Sequence, residues 1–234
     1  MKEAAGDPGD GAVIRVDRRR WSAGPPAAAQ LEALAVTLRK ALAEDAFYVA
    51  MERASGDGDA GRRGLLRYLA YSMEEAAEFG ELLLPEADGD AAVGADDWGA
   101  AVWSRPLDPV RSAEKTRRKL AFIAETMGPR CLEVYGAIVG FMSSRSEGKI
   151  DADAWYLSIL GVMPALQGRG LGVRLVAPVL AGADAAGVAT YLETFTPRNR
   201  SFYRRLGFRE VGRFDEPTTG SPYWLMVRPA ASGR

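Results

Sequence analysis

Ala154-Trp-Tyr-Leu-Ser-Ile-Leu-Gly-Val-Met-Pro-Ala-Leu-Gln-Gly-Arg-Gly-Leu-Gly172 begins as an apolar run and ends in three glycines spaced by two. A second apolar run follows from Val173 at helical rather than strand spacing, so the segment reads strand, glycine turn, helix. Such a turn leaves the first N–H groups of the helix unpaired and aimed past the strand end, where a phosphate fits. Gly168, Gly170 and Gly172 lack the Cβ atoms that would keep a pyrophosphate away, and Arg169 and Arg174 add positive charge. Two common glycine motifs do not fit. The dinucleotide fingerprint needs glycine where Val173 stands, and the P-loop needs Gly-Lys-Ser/Thr.

Gln167, Gly170 and Gly172 spell Gln-x-x-Gly-x-Gly directly after the strand end Leu160-Gly161-Val162. Further on come the apolar run Ala189–Phe195 and then Pro197–Phe208, which contains Asn-x-x-x-Tyr at Asn199 and Tyr203. Together these resemble the acyl-CoA signature, next strand and short helix of the GNAT superfamily of N-acyltransferases. Over Trp155–Phe208 the resemblance is to the branch that includes puromycin N-acetyltransferase. It covers about a quarter of the chain. Met163, Ala165 and Leu166 depart from it, since relatives carry polar residues there.

The resemblance implies an α/β GNAT-like acyl-CoA N-acyltransferase fold, a mixed central sheet flanked by helices. It implies acetyl-CoA as cosubstrate and no metal. The strands 154–162 and 189–195 would splay, with the pantetheine arm between them. Leu160, Gly161 and Val162 would then contact the acyl end, Gln167, Gly168, Arg169, Gly170, Leu171 and Gly172 the phosphates, and Asn199 the arm. Gly161 beside Val162 fits a bulge that frees a backbone amide to act as an oxyanion donor. Tyr203 matches the family tyrosine that hydrogen-bonds or protonates the departing sulfur. Asn199 also reads as the N-cap of its helix.

Glu193 sits in Tyr-Leu-Glu-Thr-Phe, an apolar strand expected to be covered on both faces. A carboxylate there is costly unless protonated or paired. Two readings stand: a base with raised pKa that takes a proton from an amine, or a buried partner of Arg198 or Arg200.

The chain contains no histidine, which removes Ser-His-Asp and Cys-His chemistry and histidine zinc sites. Its single cysteine, Cys131, rules out an intramolecular disulfide and points to the cytoplasm. As a nucleophile Cys131 would have no histidine to activate it, so it reads as structural. Thirty basic and thirty-one acidic residues leave a net charge of −1, with no global field for nucleic acid or an anionic membrane. At 234 residues and 47% hydrophobic the chain suffices for one domain, expected at 13–228 between a disordered tail at 1–12 and a second tail at 229–234. No signal peptide or membrane span is read at the start.

Along the chain, Val13–Val16 alternates as a strand, and Arg18-Arg19-Arg20 reads as a solvated charge run. Helices are expected from Ala27 to Glu44 and around Phe47–Met51, then, after a break over Ser55–Gly61, around Leu65–Met73. The last carries Glu74, Glu75 and Glu78, which read as a solvated face, or as a site for a cationic acceptor. Leu82–Leu84, Ala91–Val93 and Gly99–Trp103 are strand material. Two helices over 109–145, broken at Gly128-Pro129, form a helical insertion before the signature strand and cover the acceptor end. Residues 154–208 are the acyl-CoA core. Its helix has the row Leu171, Leu175, Val179, Ala183 on the sheet and Pro178 inside. Asp215–Pro222 reads as a mobile, turn-rich loop between strands Phe208–Arg213 and Tyr223–Val227.

The function expected is acetyl transfer to a primary amine of a small molecule, with a protein N-acetyltransferase or a non-catalytic acyl-CoA-binding sensor as alternatives. By fold analogy a homodimer through the last strand is expected.

Overall fold

Leu82, Leu83 and Leu84 are fully buried, and alternation sends Leu82 and Leu84 into one apolar cluster and Leu83 into another. The sheet is therefore covered on both faces. The computed structural model describes residues 13–16, 28–85 and 98–231. The expected tail at 1–12, the Arg18–Arg20 run and the strand expected at Ala91–Val93 lie outside these residues, as does the end of the chain from 232.

The described strands are β1 (Val13–Val16), β2 (Gly80–Pro85), β3 (Gly99–Ser104), β4 (Trp155–Val162), β5 (Thr190–Thr194), β6 (Arg209–Glu216) and β7 (Ser221–Arg228). They form one sheet in the order β1-β2-β3-β4-β5-β7-β6. Every pair is antiparallel except β4 with β5. The parallel pair is joined through α6 (Leu171–Ala186), as its crossover requires.

One face carries α1 (Ala28–Ala41), α2 (Ala46–Ser55), α3 (Asp59–Phe79), α4 (Pro109–Met127) and α5 (Pro129–Ser146). Leu34, Leu38, Leu69, Met73 and Ile123 from this layer meet Leu82, Ala100 and Ile159 of the sheet. The other face carries α6, whose row Leu171, Leu175, Val179 and Ala183 is buried as its spacing predicts. The short helix α7 (Asn199–Arg205) follows β5. The expected break over Ser55–Gly61 is shorter than read: α3 starts at Asp59, and Gly61 is already helical because it packs against the α2 backbone. Asp215–Pro222 is also more ordered than expected. Both strands run to a four-residue turn, and the buried Glu216 carboxylate accepts from the Thr218 and Thr219 N–H groups at 2.9 and 2.6 Å.

A bulge in β4 organises the site. Val102 pairs with Ile159 and Trp103 with Leu157, so Ser158 is skipped in the register with β3, and only its hydroxyl reaches that strand, donating to Val102 O at 3.1 Å. The extra residue switches faces: Leu157 belongs to the α6 side and Ile159 to the α1 side, although two residues apart on a regular strand share a face. The bulge expected at Gly161–Val162 is therefore at Ser158. Gly161 has a different purpose: a Cβ there would lie 2.6 Å from Leu38 Cδ2 and 3.2 Å from the Ala41 Cβ. Its glycine lets α1 lie close on the sheet. Gly161→Val should lower stability by about 1–3 kcal/mol through overpacking, read as a lower midpoint in denaturant; an unchanged midpoint would show that α1 does not need this contact.

Candidate active site

Beyond the bulge, β4 and β5 separate. Their parallel pairing covers only Trp155–Leu157 against Thr190–Leu192. Met163 N–H donates to Trp98 O at 2.7 Å, and the Gly161 carbonyl lies against Gly99, so residues 161 and 163 turn their polar groups toward β3. Alternation then turns the backbone groups of Leu160 and Val162 toward the gap beside β5. Gly161, expected among the donors, faces the other way.

The glycine turn closes the end of this gap. Pro164–Leu166 forms one 3₁₀ turn, and the Gln167 side chain donates from Nε2 to Val162 O at 3.1 Å, tying the turn to the strand end. Gly168 and Gly170 have φ of +82° and +81°, so glycine is required by the backbone itself, and a Cβ at either would meet no protein atom within 4 Å. Gly170 caps α6: its carbonyl accepts from Val173 and Arg174 N–H. The N–H groups ahead of these point out of the helix end, beside the exposed Arg169. Gly172 differs, because a Cβ there would meet the Phe202 ring at 3.2 Å. Leu166, one of the departures noted above, packs on the α6-side core.

From the gap a cavity of about 530 Å³ runs between the sheet and α2–α5. Leu160, Glu193, Asn199 and Tyr203 line it together. Glu193 accepts from the Tyr156 hydroxyl at 3.2 Å. Burial pushes its pKa up to about 7, with the Tyr156 hydrogen bond opposing that shift. The paired alternative for Glu193 finds no support, because Arg198 meets Glu44 at 3.3 Å and Arg200 meets Glu210 at 2.8 Å. Tyr203 is buried, edge-on to Phe202 and Phe208, and burial with the nearby Asp45 carboxylate raises its pKa. A phenol so placed stays protonated at neutral pH and can donate. Asn199 is the first residue of α7 rather than its N-cap, which is Arg198.

Several lining residues escaped the sequence reading. Asp45 caps α2, accepting from Phe47 N–H at 3.1 Å, and burial lifts its pKa to about 6. In sequence it is an acidic residue before a helix, which signals a cap and nothing more. Tyr156 and Tyr191 stack at 4.7 Å on the cavity wall. Glu75, read as part of a solvated face, is buried and meets Lys119 Nζ at 2.7 Å and Lys115 Nζ at 3.8 Å, all three lining the cavity. Glu74 is exposed, as expected, and Glu78 pairs with Arg118 at 3.0 Å. Cys131 is fully buried among Met51 and Met127, and burial pushes its thiol up to about 11, which fits a structural thiol.

Splayed parallel strands, a glycine turn at the gap and a cavity reaching a carboxyl and a phenol thus meet in one place. Residues 95–208, just under half of the chain, match the acetyltransferase (GNAT) family, and this match, together with the relative below, indicates an N-acetyltransferase that uses acetyl-CoA. The chain is 29% identical to the N-alpha-acetyltransferase RimI of Mycobacterium tuberculosis over 129 residues, 54% of this chain and 71% of the relative. Among solved structures it shares its fold with a Corynebacterium glutamicum protein described as histone acetyltransferase HPA2 and related acetyltransferase, at 20% identity and a TM-score of 0.58, over 95% of this chain and 98% of the other. The polyamine N-acetyltransferase of Drosophila melanogaster has the same fold, at 15% identity and a TM-score of 0.55, over 94% and 100% of the two chains. Among the described residues no helix is long and apolar enough to cross a membrane.

Proposed function

We propose that this enzyme transfers acetyl from acetyl-CoA directly to the primary amine of a small molecule, both held at once. One observation carries the reading: a single cavity between sheet and helices joins Glu193 and Tyr203 to the β4–β5 gap. Such a space encloses a small acceptor, where a peptide would call for an open groove.

Acetyl-CoA supplies an acetyl group on a thioester sulfur. The gap fits its arm, since β4 has no sheet partner on that side from Ser158 onward and the Leu160 and Val162 backbones face it. Gln167, Gly168, Arg169, Gly170, Leu171 and Gly172 form the phosphate end, and Asn199 lies beside the arm. The N–H groups facing the gap donate to a carbonyl oxygen, taking over the role first given to Gly161. Glu193, ionised above pH ~7, takes a proton from the amine, directly or through water. Tyr203 holds its proton for a sulfur leaving group, whose thiol titrates near ~8.5 against ~10 for a free phenol.

Thiol release with a panel of amines, puromycin among them, tests the assignment. With rates expressed per neutral amine, kcat/KM should climb as pH rises toward about 7 and then level, because Glu193 has its raised pKa there and only its ionised form accepts a proton. Glu193→Gln should lose that limb and about 10²-fold of activity. The same limb in the Gln variant would remove Glu193 from the base role.

The similarity to RimI supports a second reading, a protein α-amino acceptor. Peptides with free N-termini belong in the same panel, and faster turnover of these than of every small amine would favour it. Tight acetyl-CoA binding without transfer to any amine would favour a non-catalytic sensor.

A further inference from the structure

The α4–α5 end of the cavity is unlike its catalytic end. Its exposed lining residues, Ser112, Thr116 and Leu120 on α4 and Gly136 and Ser143 on α5, form a rim between the two helices. Just inside stand Lys115 and Lys119, whose side chains keep 21% and 17% of their exposure. They share one carboxylate, Glu75. Its Oε2 is 2.7 Å from Lys119 Nζ and 3.8 Å from Lys115 Nζ. Glu78, one turn on, is taken by Arg118.

Lys119 thus has its counter-ion, and its ammonium also lies over the Tyr68 and Tyr71 rings at 5.7 and 5.9 Å. Lys115 has no comparable partner: its nearest contact is the neutral Ser104 hydroxyl at 2.8 Å. Two cations against one anion leave one positive charge, half-buried, on the cavity wall. Burial also lowers the Lys115 pKa, the mark of an ammonium short of compensation. Glu75 Oε1 is buried without a hydrogen-bond partner, so the cluster is incomplete in a second respect. The other end holds the carboxyls of Glu193 and Asp45.

We infer that the acceptor amine carries an anionic group, a carboxylate in the simplest case, which sits on Lys115 while the amine reaches Glu193. This rests on the transferase reading and names its substrate class as small aminocarboxylates whose amine and carboxylate stand far enough apart to reach the two ends of the cavity. An acceptor with a second ammonium would place that charge against the excess cation, so diamines and polyamines are disfavoured.

Three aryl amines that differ only in the distal substituent give the test: 4-(2-aminoethyl)benzoate, tyramine and 4-(2-aminoethyl)benzylamine, each with acetyl-CoA in a thiol-release assay. The wild-type enzyme should prefer the benzoate over the benzylamine by at least about tenfold in kcat/KM, mostly through KM, with tyramine between and the gap narrowing as salt is added. Lys115→Met should raise KM for the benzoate at least about tenfold more than for tyramine, so a folding defect, which would lower all three alike, is told apart. Equal or better use of the benzylamine by wild type, or the same loss on all three substrates in a folded Lys115→Met enzyme, overturns this inference and leaves the transferase reading standing. Acetyl-CoA binding without thiol release from any amine overturns both.

Discussion

Tyr203→Phe should lower kcat for acetyl transfer by roughly 10²-fold or more while acetyl-CoA affinity holds within about threefold. The ring is retained, so its edge-on contacts with Phe202 and Phe208 survive, and only the hydroxyl is lost. That hydroxyl has a raised pKa from burial and from Asp45, so it is a donor throughout the neutral range. Losing an interaction made to the departing sulfur lowers kcat and kcat/KM together and leaves ground-state binding alone. Single-turnover thiol release and calorimetric titration with acetyl-CoA measure the two quantities. Unchanged kcat would return Tyr203 to a packing role, and parallel losses of kcat and affinity would make it a binding residue.

Gly170→Trp should weaken acetyl-CoA binding by about 100-fold or more, for two separable reasons. Gly170 has φ +81° and ψ −5°, where an L-residue is disfavoured by roughly 1–2 kcal/mol. Its Cβ would point into open space rather than into protein, so an indole there covers the outer face of the turn without disturbing the core. Gly170→Ala carries the strain with little of the bulk and should lose much less affinity. Calorimetry on both, with thermal unfolding as a control, separates the contributions. Full binding by the Trp variant would move the phosphate end away from this turn.

Much of this site was legible in sequence because it is local. Gln167, Gly168, Gly170 and the start of α6 lie within a few residues of one another, and positive φ at two glycines is a property of the backbone they belong to. The α6 row and the break at Gly128-Pro129 were readable for the same reason. The bulge was not, because its signal is a change of face between Leu157 and Ile159 and both are simply apolar. Gly161 looked like part of the cofactor site, being next to the turn, but the atoms that require it belong to Leu38 and Ala41, some 120 residues earlier in a chain of 234.

By itself the sequence determined the order of elements, the glycine turn before α6 and the absence of histidine chemistry, and it singled out Glu193 and Tyr203, which the fold brings into one cavity. Tertiary structure decided what surrounds them. Of the two readings open for Glu193, base or partner of Arg198 or Arg200, the second lost its partners only when those arginines were found on other acids and Tyr156 on Glu193 Oε2. Asp45, Glu75, Lys115 and Lys119 entered the cavity only through the packing of α2 to α5 on the sheet. The physical reason is that φ/ψ and helical periodicity are set by neighbours in the chain, whereas desolvation and charge pairing are set by neighbours in space, which no local pattern encodes.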